Sequence, residues 1–503
     1  MAEGGGFQVT SPSRRLSTQD ASFLYIESAS AFWHVGSLGI FDGEIPFEQA
    51  FRFMEQRIHL VPRFRQRLIF APFNINHAML VDDPEFRLEN HFKLHLLKGT
   101  SEAEMIREAL DLFEPRLDRN KPLWECYMLE GMKGRAALLS KIHHSMIDGV
   151  AGVELMRLTS DFTPDAPPPP PPERPWNPPP LPSQTQALVE ATTDYLSAQL
   201  ESARDAMDQL MRDPAEVAAR TREISAGMLS LTREFARPAV PAPWNAALIS
   251  SQRNLAWSRY PFADFRAIRS AVGCTINDVV LVILSEAAAR YLKQHGYHAA
   301  GEEFRIFCPV NVRRPEELTD LGNRVSAMFP MVPAEPMDLL ERCAKVAAET
   351  ARIKEARLPQ IMDRMGSMGN LVPPALMGWM ERLSRVSFDA SSALVRRSGF
   401  TPQPGGPALF PMASFLATNV PGFQVPTYFC GKQLLDPIGF APLSGNIGYG
   451  VAITSYNQNM YLFLTGESNL LPDIDLMKRL CDEVFEELKN RASAAARASE
   501  RAN

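Results

Sequence analysis

Lys141-Ile142-His143-His144-Ser145-Met146-Ile147-Asp148-Gly149 is the stretch on which the reading of this chain turns. It follows a β-like run over residues 136–142 and precedes a helical pattern opening near Val150. The motif therefore falls on a strand-to-helix loop, where functional side chains collect. A histidine titrates near neutrality, so it can take a proton from a hydroxyl and return it to a leaving group. Asp148 is suited to hold the loop, by an ion pair or by capping the next helix. Gly149 permits backbone geometry that other residues would strain against. The plainer reading makes His143 and His144 hydrogen-bonded core residues, but the complete HHxxxDG pattern at a strand end favours chemistry. Adjacent histidines also raise metal ligation, yet the i, i+4 pair of HExxH is missing and no matching ligand cluster accompanies them.

The chain around this motif has 503 residues and predicts two or three domains. With 45% hydrophobic and 22% charged residues it has the make-up of a globular protein, and its net charge of −6 argues against a nucleic-acid binder. The six cysteines are scattered without a CxxC pair. With no signal-peptide pattern, this reads as a reduced, cytoplasmic chain without a bound metal. The first 15 residues read as a disordered leader. Two long uncharged stretches, residues 398–431 and 437–466, are broken by prolines, glycines and polar residues. Neither offers the ~20 consecutive apolar residues of a membrane span, and both read as buried strands and loops.

Six consecutive prolines, Pro167 to Pro172, mark a semi-rigid spacer over residues 163–182. It divides an N-terminal lobe, residues 1–162, from a helical connector, 183–243, and a C-terminal lobe, 244–503. Pro46 opens a helix with Phe47, Phe51, Met54 and Ile58 on one face, and residues 101–117 predict another. Thr275 with Asp278 forms a capping-box start to an apolar helix. Residues 305–312, 448–456 and 460–466 read as strands, the last two as a hairpin turning at Asn457-Gln458, and residues 472–496 as a closing amphipathic helix. This mixture favours an α+β fold of layered mixed sheets and helices.

HHxxxDG is the signature of the coenzyme A-dependent acyltransferase superfamily, and further segments narrow the resemblance. Residues 16–27, His34-Val35-Gly36, the VPRFRQRL run from Val61, Pro122-Leu123-Trp124, Asn277-Asp278, Pro309 to Arg313, Gly322-Asn323, Asn419-Val420-Pro421-Gly422 and Ser455-Tyr456 follow in order. Together they resemble the bacterial wax ester synthase/diacylglycerol acyltransferase family. The resemblance implies two chloramphenicol-acetyltransferase-like lobes with a channel between them and His144 as general base. It implies that His143 orients the loop or lines the channel, and that Asp148 pairs with an arginine, Arg65 first and Arg313 second. For both arginines a solvated surface position is the alternative. Asn277, at a helix start, is the candidate oxyanion donor; the alternative is that Asn277 and Asp278 only cap the helix.

The implied reaction moves a long-chain acyl group from acyl-CoA, a co-substrate rather than a bound cofactor, to a diacylglycerol or fatty alcohol. The enzyme would work at a membrane or lipid-droplet surface. The Met-rich residues 360–379 are the candidate contact, with Arg396 and Arg397 facing anionic groups and core packing the alternative for the methionines. Three departures from the family pattern bear on substrate choice: the long spacer, Asn457-Gln458-Asn459 in place of a glycine turn, and Thr465-Gly466-Glu467 at a late strand end. A condensation-type enzyme shares HHxxxDG, but no carrier or adenylation domain fits within the chain. A non-catalytic lipid-binding scaffold has no use for an aligned base.

Overall fold

The structure is a computed structural model that describes residues 15–147, 149–246, 250–312, 325–368 and 413–502. The first part runs α1 (Thr18–Ile26), β1 (His34–Asp42), α2 (Phe47–Glu55), β2 (Gln66–Ile69), β3 (Met79–Asp82), β4 (Phe92–Leu96), α3 (Glu102–Phe113), β5 (Trp124–Glu130), β6 (Arg135–His143) and α4 (Gly149–Thr159). Two long helices follow the spacer, α5 (Gln184–Arg212) and α6 (Pro214–Ala236). Then come β7 (Arg253–Pro261), α7 (Phe262–Val272), α8 (Ile276–Gln294), β8 (Glu303–Asn311), β9 (Val325–Met328), β10 (Met331–Pro333), α9 (Leu339–Glu355) and α10 (Leu358–Met368). The chain closes with β11 (Phe415–Pro421), β12 (Tyr428–Phe429), β13 (Lys432–Gly439), β14 (Tyr449–Tyr456), β15 (Asn459–Glu467) and α11 (Ile474–Ala502).

Local chemistry sets several of these boundaries. Ser101 with Glu104, Ser183 with Gln186 and Thr275 with Asp278 form reciprocal capping boxes that open α3, α5 and α8. The connector is helical as expected but breaks at Asp213-Pro214. Proline cannot continue α5, and the Asp213 carboxylate accepts the Glu216 N–H to start α6. The β14–β15 hairpin turns at Asn457 and Gln458, both with positive φ. A two-residue hairpin turn needs that backbone, and asparagine tolerates it better than glutamine does.

Two mixed sheets form the lobes. The first has strand order β12-β13-β1-β6-β5-β4 and the second β10-β8-β11-β14-β15-β7, with β9 also on β8. The lobes are not consecutive in sequence, because the first sheet takes strands from both sides of residue 244. β12 and β13 leave the second half of the chain and extend the first sheet, with Ile438 opposite Leu38. A strand's alternating pattern states which faces are buried but not which edge it joins, so the crossing is decided by tertiary fit. Arg253 helps lock the lobes: it donates to the Ser30 carbonyl and lies over the Phe32 ring. The second lobe's core centres on α8, buried along nearly its whole length beneath α9 and α11. Among the described residues no single helix is long and apolar enough to cross a membrane.

Candidate active site

The expected strand-to-helix setting holds: β6 ends at His143 and α4 begins at Gly149. Side chains alternate along a strand, so neighbouring residues of β6 face opposite ways. Leu138, Ser140 and Ile142 face a cavity of about 950 Å³ between the sheets, while Lys141 and His143 are buried behind. β1 supplies Val35, Ser37 and Gly39 to the cavity and turns His34 to the rear, directly opposite His143. Gly36 is required here, because a Cβ would stand 1.9 Å from the Ser140 carbonyl oxygen.

His144, the first residue beyond the strand, lines the cavity. Its backbone N–H donates to the Trp33 carbonyl at 2.7 Å. The imidazole stacks on Phe23 with ring centres 4.1 Å apart and meets Trp33 edge-on at 6.1 Å. Two aromatic contacts thus set the ring's plane while it borders the space a substrate would fill.

His143 does not line the cavity, so of the two expected roles only loop orientation fits its position. The Ser145 backbone N–H donates to its Nδ1 at 3.1 Å, which places the proton of a neutral ring on Nε2. That nitrogen faces Glu27 Oε1 at 3.5 Å. Arg119 donates to the other Glu27 oxygen at 2.8 Å, and His34 Nε2 lies 3.8 Å from Oε1. Burial works to raise the Glu27 pKa, but His143 and Arg119 outweigh it and hold the carboxyl at about 2. Burial drives His34 down to about 3 and lowers His143 as well. The rear of the motif is therefore a carboxylate held by the Arg119 guanidinium and facing the neutral His143 ring, while the neutral His34 ring beside it donates from Nδ1 to the Phe113 carbonyl. Lys141 completes this buried face by donating to the carbonyls of Leu112 and Pro115 at the end of α3.

This arrangement sets a pH dependence. His34, His143 and His77, the last held by burial at about 4, stay neutral in the fold. Unfolded, each titrates near 6.5, so below that pH the unfolded chain binds more protons and stability falls. The slope is about 1.4 kcal/mol per pH unit for each histidine kept neutral. Glu27 adds stability that is complete above its ordinary 4.5 and lost as pH falls towards 2. Thermal melts between pH 7.5 and 4.5 are expected to show a midpoint that drops steadily below about pH 6.5. A midpoint that stays level to pH 5 would refute the neutral assignments.

The remaining expected residues divide. Asp278 is buried and caps α8, accepting from the Thr275 N–H and hydroxyl and from the Thr350 hydroxyl at 2.8 Å. Asn277 does not line the cavity; its Oδ1 accepts from Nδ2 of Asn419, which does, at 3.5 Å. Arg65 lies with its guanidinium 4.8 Å from the Trp176 ring of the spacer. It is Arg63, two residues earlier and buried, that reaches the motif loop, donating to the Met146 carbonyl at 2.7 Å. The spacing of VPRFRQRL named the segment but not this contact of Arg63. Asp148, Arg313, Gly322, Asn323, Arg396 and Arg397 lie outside the described residues, as do most of residues 360–379; of these last, Met362 and Asp363 line the cavity.

Other quoted segments among the described residues reach this loop or the cavity beside it. The Leu123 carbonyl accepts the His143 N–H at 2.9 Å. Trp124 is sandwiched between Phe64 and His91, and its indole N–H donates to the Phe64 carbonyl. From the second lobe Pro309, Asn311, Asn419, Val420, Ser455 and Tyr456 face the cavity opposite β1 and β6. Motifs from both halves of the chain thus either line one space or brace the loop beside it.

Residues 16–280 match the wax ester synthase/diacylglycerol acyltransferase catalytic domain, and residues 321–489 match the WS/DGAT C-terminal domain. The chain belongs to the wax ester synthase/diacylglycerol acyltransferase family. It is an acyltransferase. A Mycobacterium tuberculosis relative named "Probable diacyglycerol O-acyltransferase tgs1" is 27% identical over 474 residues, covering 92% of this chain and 93% of that protein. The solved wax ester synthase/diacylglycerol acyltransferase from Marinobacter aquaeolei VT8 superposes with a TM-score of 0.61 at 20% identity, over 95% of this chain and all of that one. The starter condensation domain of rhizomide synthetase RzmA, solved with C8-CoA and Leu-SNAC, gives 0.55 at 14% identity, over 96% and 95%. At these identities the two structures speak for the two-lobed fold. The paired histidines, the cavity and the convergent segments meet at one place between the two sheets.

Proposed function

We propose that this acyltransferase moves a long-chain acyl group from acyl-CoA to the hydroxyl of a diacylglycerol or fatty alcohol, giving triacylglycerol or wax ester. The observation that carries the reading is His144, held by Phe23 and Trp33 at the wall of a largely apolar cavity between two lobes. The imidazole takes the proton of the acceptor hydroxyl as its oxygen attacks the thioester carbon. A tetrahedral oxyanion forms, the C–S bond breaks, and the leaving sulfur takes the proton back from His144. No acyl-enzyme is formed. General-base help of this kind supplies roughly 10²–10⁴-fold, and holding both substrates in one cavity supplies much of the remainder. In this reading Asn277 acts on the oxyanion through Asn419, the amide it contacts, and His143 acts by positioning the loop. The names of the mycobacterial relatives support a diacylglycerol acceptor.

The enzyme would work from the cytoplasm, peripherally bound to a membrane or lipid droplet, because acceptor and product partition into lipid. The test of the chemistry is to incubate purified protein with palmitoyl-CoA and either hexadecanol or dipalmitoylglycerol, measuring thiol release and ester together. Ester formed with equal thiol release is expected for at least one acceptor. Thiol release that neither acceptor stimulates would overturn the reading.

A further inference from the structure

The proline-rich spacer does not hang free between the lobes; it is strapped across the first one. It leaves α4 at Thr159 and Ser160, which line the cavity. Asp161 then pairs with Tyr428 of the edge strand β12, each backbone N–H donating to the other's carbonyl, at 2.8 and 2.7 Å. The Asp161 carboxylate takes the Arg57 guanidinium at 2.7 Å, with both side chains largely buried. Next, the Pro164 carbonyl passes so close over Gly431 that a Cβ there would stand 3.0 Å from its oxygen. Farther on, Trp176 meets Phe86 edge-on with ring centres 6.1 Å apart and lies 4.8 Å from the Arg65 guanidinium. Leu181 packs on the cluster of Met79, Val81 and Ala187. Between these anchors the prolines are mostly exposed. Proline locks φ and leaves an extended chain with little freedom to lose, so a few contacts suffice to pin it.

The strap presses on the turn that braces the motif loop. Arg65 ends the 3₁₀ turn at Pro62–Arg65. One residue back, Phe64 stacks on Trp124 at 4.4 Å and lines the cavity. One further back, Arg63 donates to the carbonyl of Met146, two residues beyond His144. A single 3₁₀ turn has poor hydrogen-bond geometry of its own, so contacts from outside decide how it is held. Burial lowers the Arg65 pKa, and a guanidinium drawn out of water gains more from an aromatic face than an exposed one does. We propose that Trp176 is a positioning residue for acyl transfer: clamped on Arg65, it fixes the turn from which Arg63 holds the loop that carries His144. A plain tether between lobes has no need of a buried ion pair at one end or of an indole over a guanidinium along its length. The inference goes beyond the acyl-transfer reading but rests on it, because it takes His144 as the base.

The experiment compares full-length wild type with Trp176→Ala, Trp176→Phe, Arg63→Met and the Trp176→Ala/Arg63→Met pair. Arg63→Met keeps the apolar stem and removes the donors. Two readouts are taken. One is kcat and KM with palmitoyl-CoA and whichever of dipalmitoylglycerol and hexadecanol is turned over. The other is hydrogen exchange at the amides of His143, His144, Met146 and Ile147, all of which are hydrogen-bonded. Trp176→Ala should lower kcat roughly 3- to 10-fold with both KM values nearly unchanged. It should also speed exchange at these four amides while β1 and β5 stay protected. Trp176→Phe keeps an aromatic face for Arg65 and should recover most of the loss. In the Arg63→Met background Trp176→Ala should cost almost no further turnover, since the brace through which it acts is already gone. An unchanged kcat in Trp176→Ala overturns the proposal. An equal fold-loss in both backgrounds also overturns it, by placing the action of Trp176 elsewhere. Faster exchange throughout the first sheet overturns it in favour of a general support of the fold. A raised KM at unchanged kcat overturns it in favour of substrate contact. If wild type turns over neither acceptor, the acyl-transfer reading fails on its own, and exchange at the four amides still decides whether the strap holds the loop.

Discussion

His144→Ala is expected to lower acyl transfer by at least ~10²-fold while leaving the fold in place. The side chain borders the cavity, and truncating it removes contacts to Phe23 and Trp33 but no bond of the sheet. The backbone link that seats this residue, its N–H to the Trp33 carbonyl, survives the substitution. The thermal midpoint should therefore move little. His143→Ala should do the reverse: a milder loss of chemistry, because the ring is behind the cavity wall, with a larger loss of stability, because it is buried against Glu27 and Ser145. Turnover and thermal melts of both variants check this. Retention of more than half of wild-type turnover by His144→Ala would remove it from the role of base. Equal losses of turnover at the two positions would remove the distinction drawn between them.

Glu27→Ala is expected to cost ~3 kcal/mol or more of stability and to lower turnover through the motif loop. Breaking a buried charge network by deleting one partner typically costs ~3–5 kcal/mol. Here the deletion removes the carboxylate that faces the Nε2 atoms of His143 and His34 and that accepts from Arg119. Arg119 is partly exposed and can turn to water, which discounts the upper end of that range. Glu27→Gln keeps the volume and an oxygen for the His143 N–H, so its stability should fall between wild type and Glu27→Ala. Glu27 reaches the reaction only through His143, and the split between parameters reads this out: kcat should fall in Glu27→Ala and recover in part in Glu27→Gln, with KM for acyl-CoA nearly unchanged. An unaltered thermal midpoint in Glu27→Ala would dispose of the network as a support of the site.

What was legible in the sequence was whatever neighbouring residues decide among themselves. The strand end at His143, the capping box of Thr275 and Asp278, the turn at Asn457-Gln458 and the helices of the connector all rest on contacts within a few residues. Period-2 alternation along β6 also sets Lys141 and His143 on the face opposite Leu138, Ser140 and Ile142. What only the tertiary structure decided involves partners far apart in the chain. β13 joins β1 across some four hundred residues because sheet edges are matched by shape and burial, which no local pattern encodes. Arg63 meets the motif loop at the Met146 carbonyl from a short 3₁₀ turn at Pro62–Arg65, a contact that the spacing of the segment did not announce. Glu27 and His34 stood in quoted segments and Arg119 in none, but only the packing of β1 and α1 against β6 brought the three together and made their charges matter by burial.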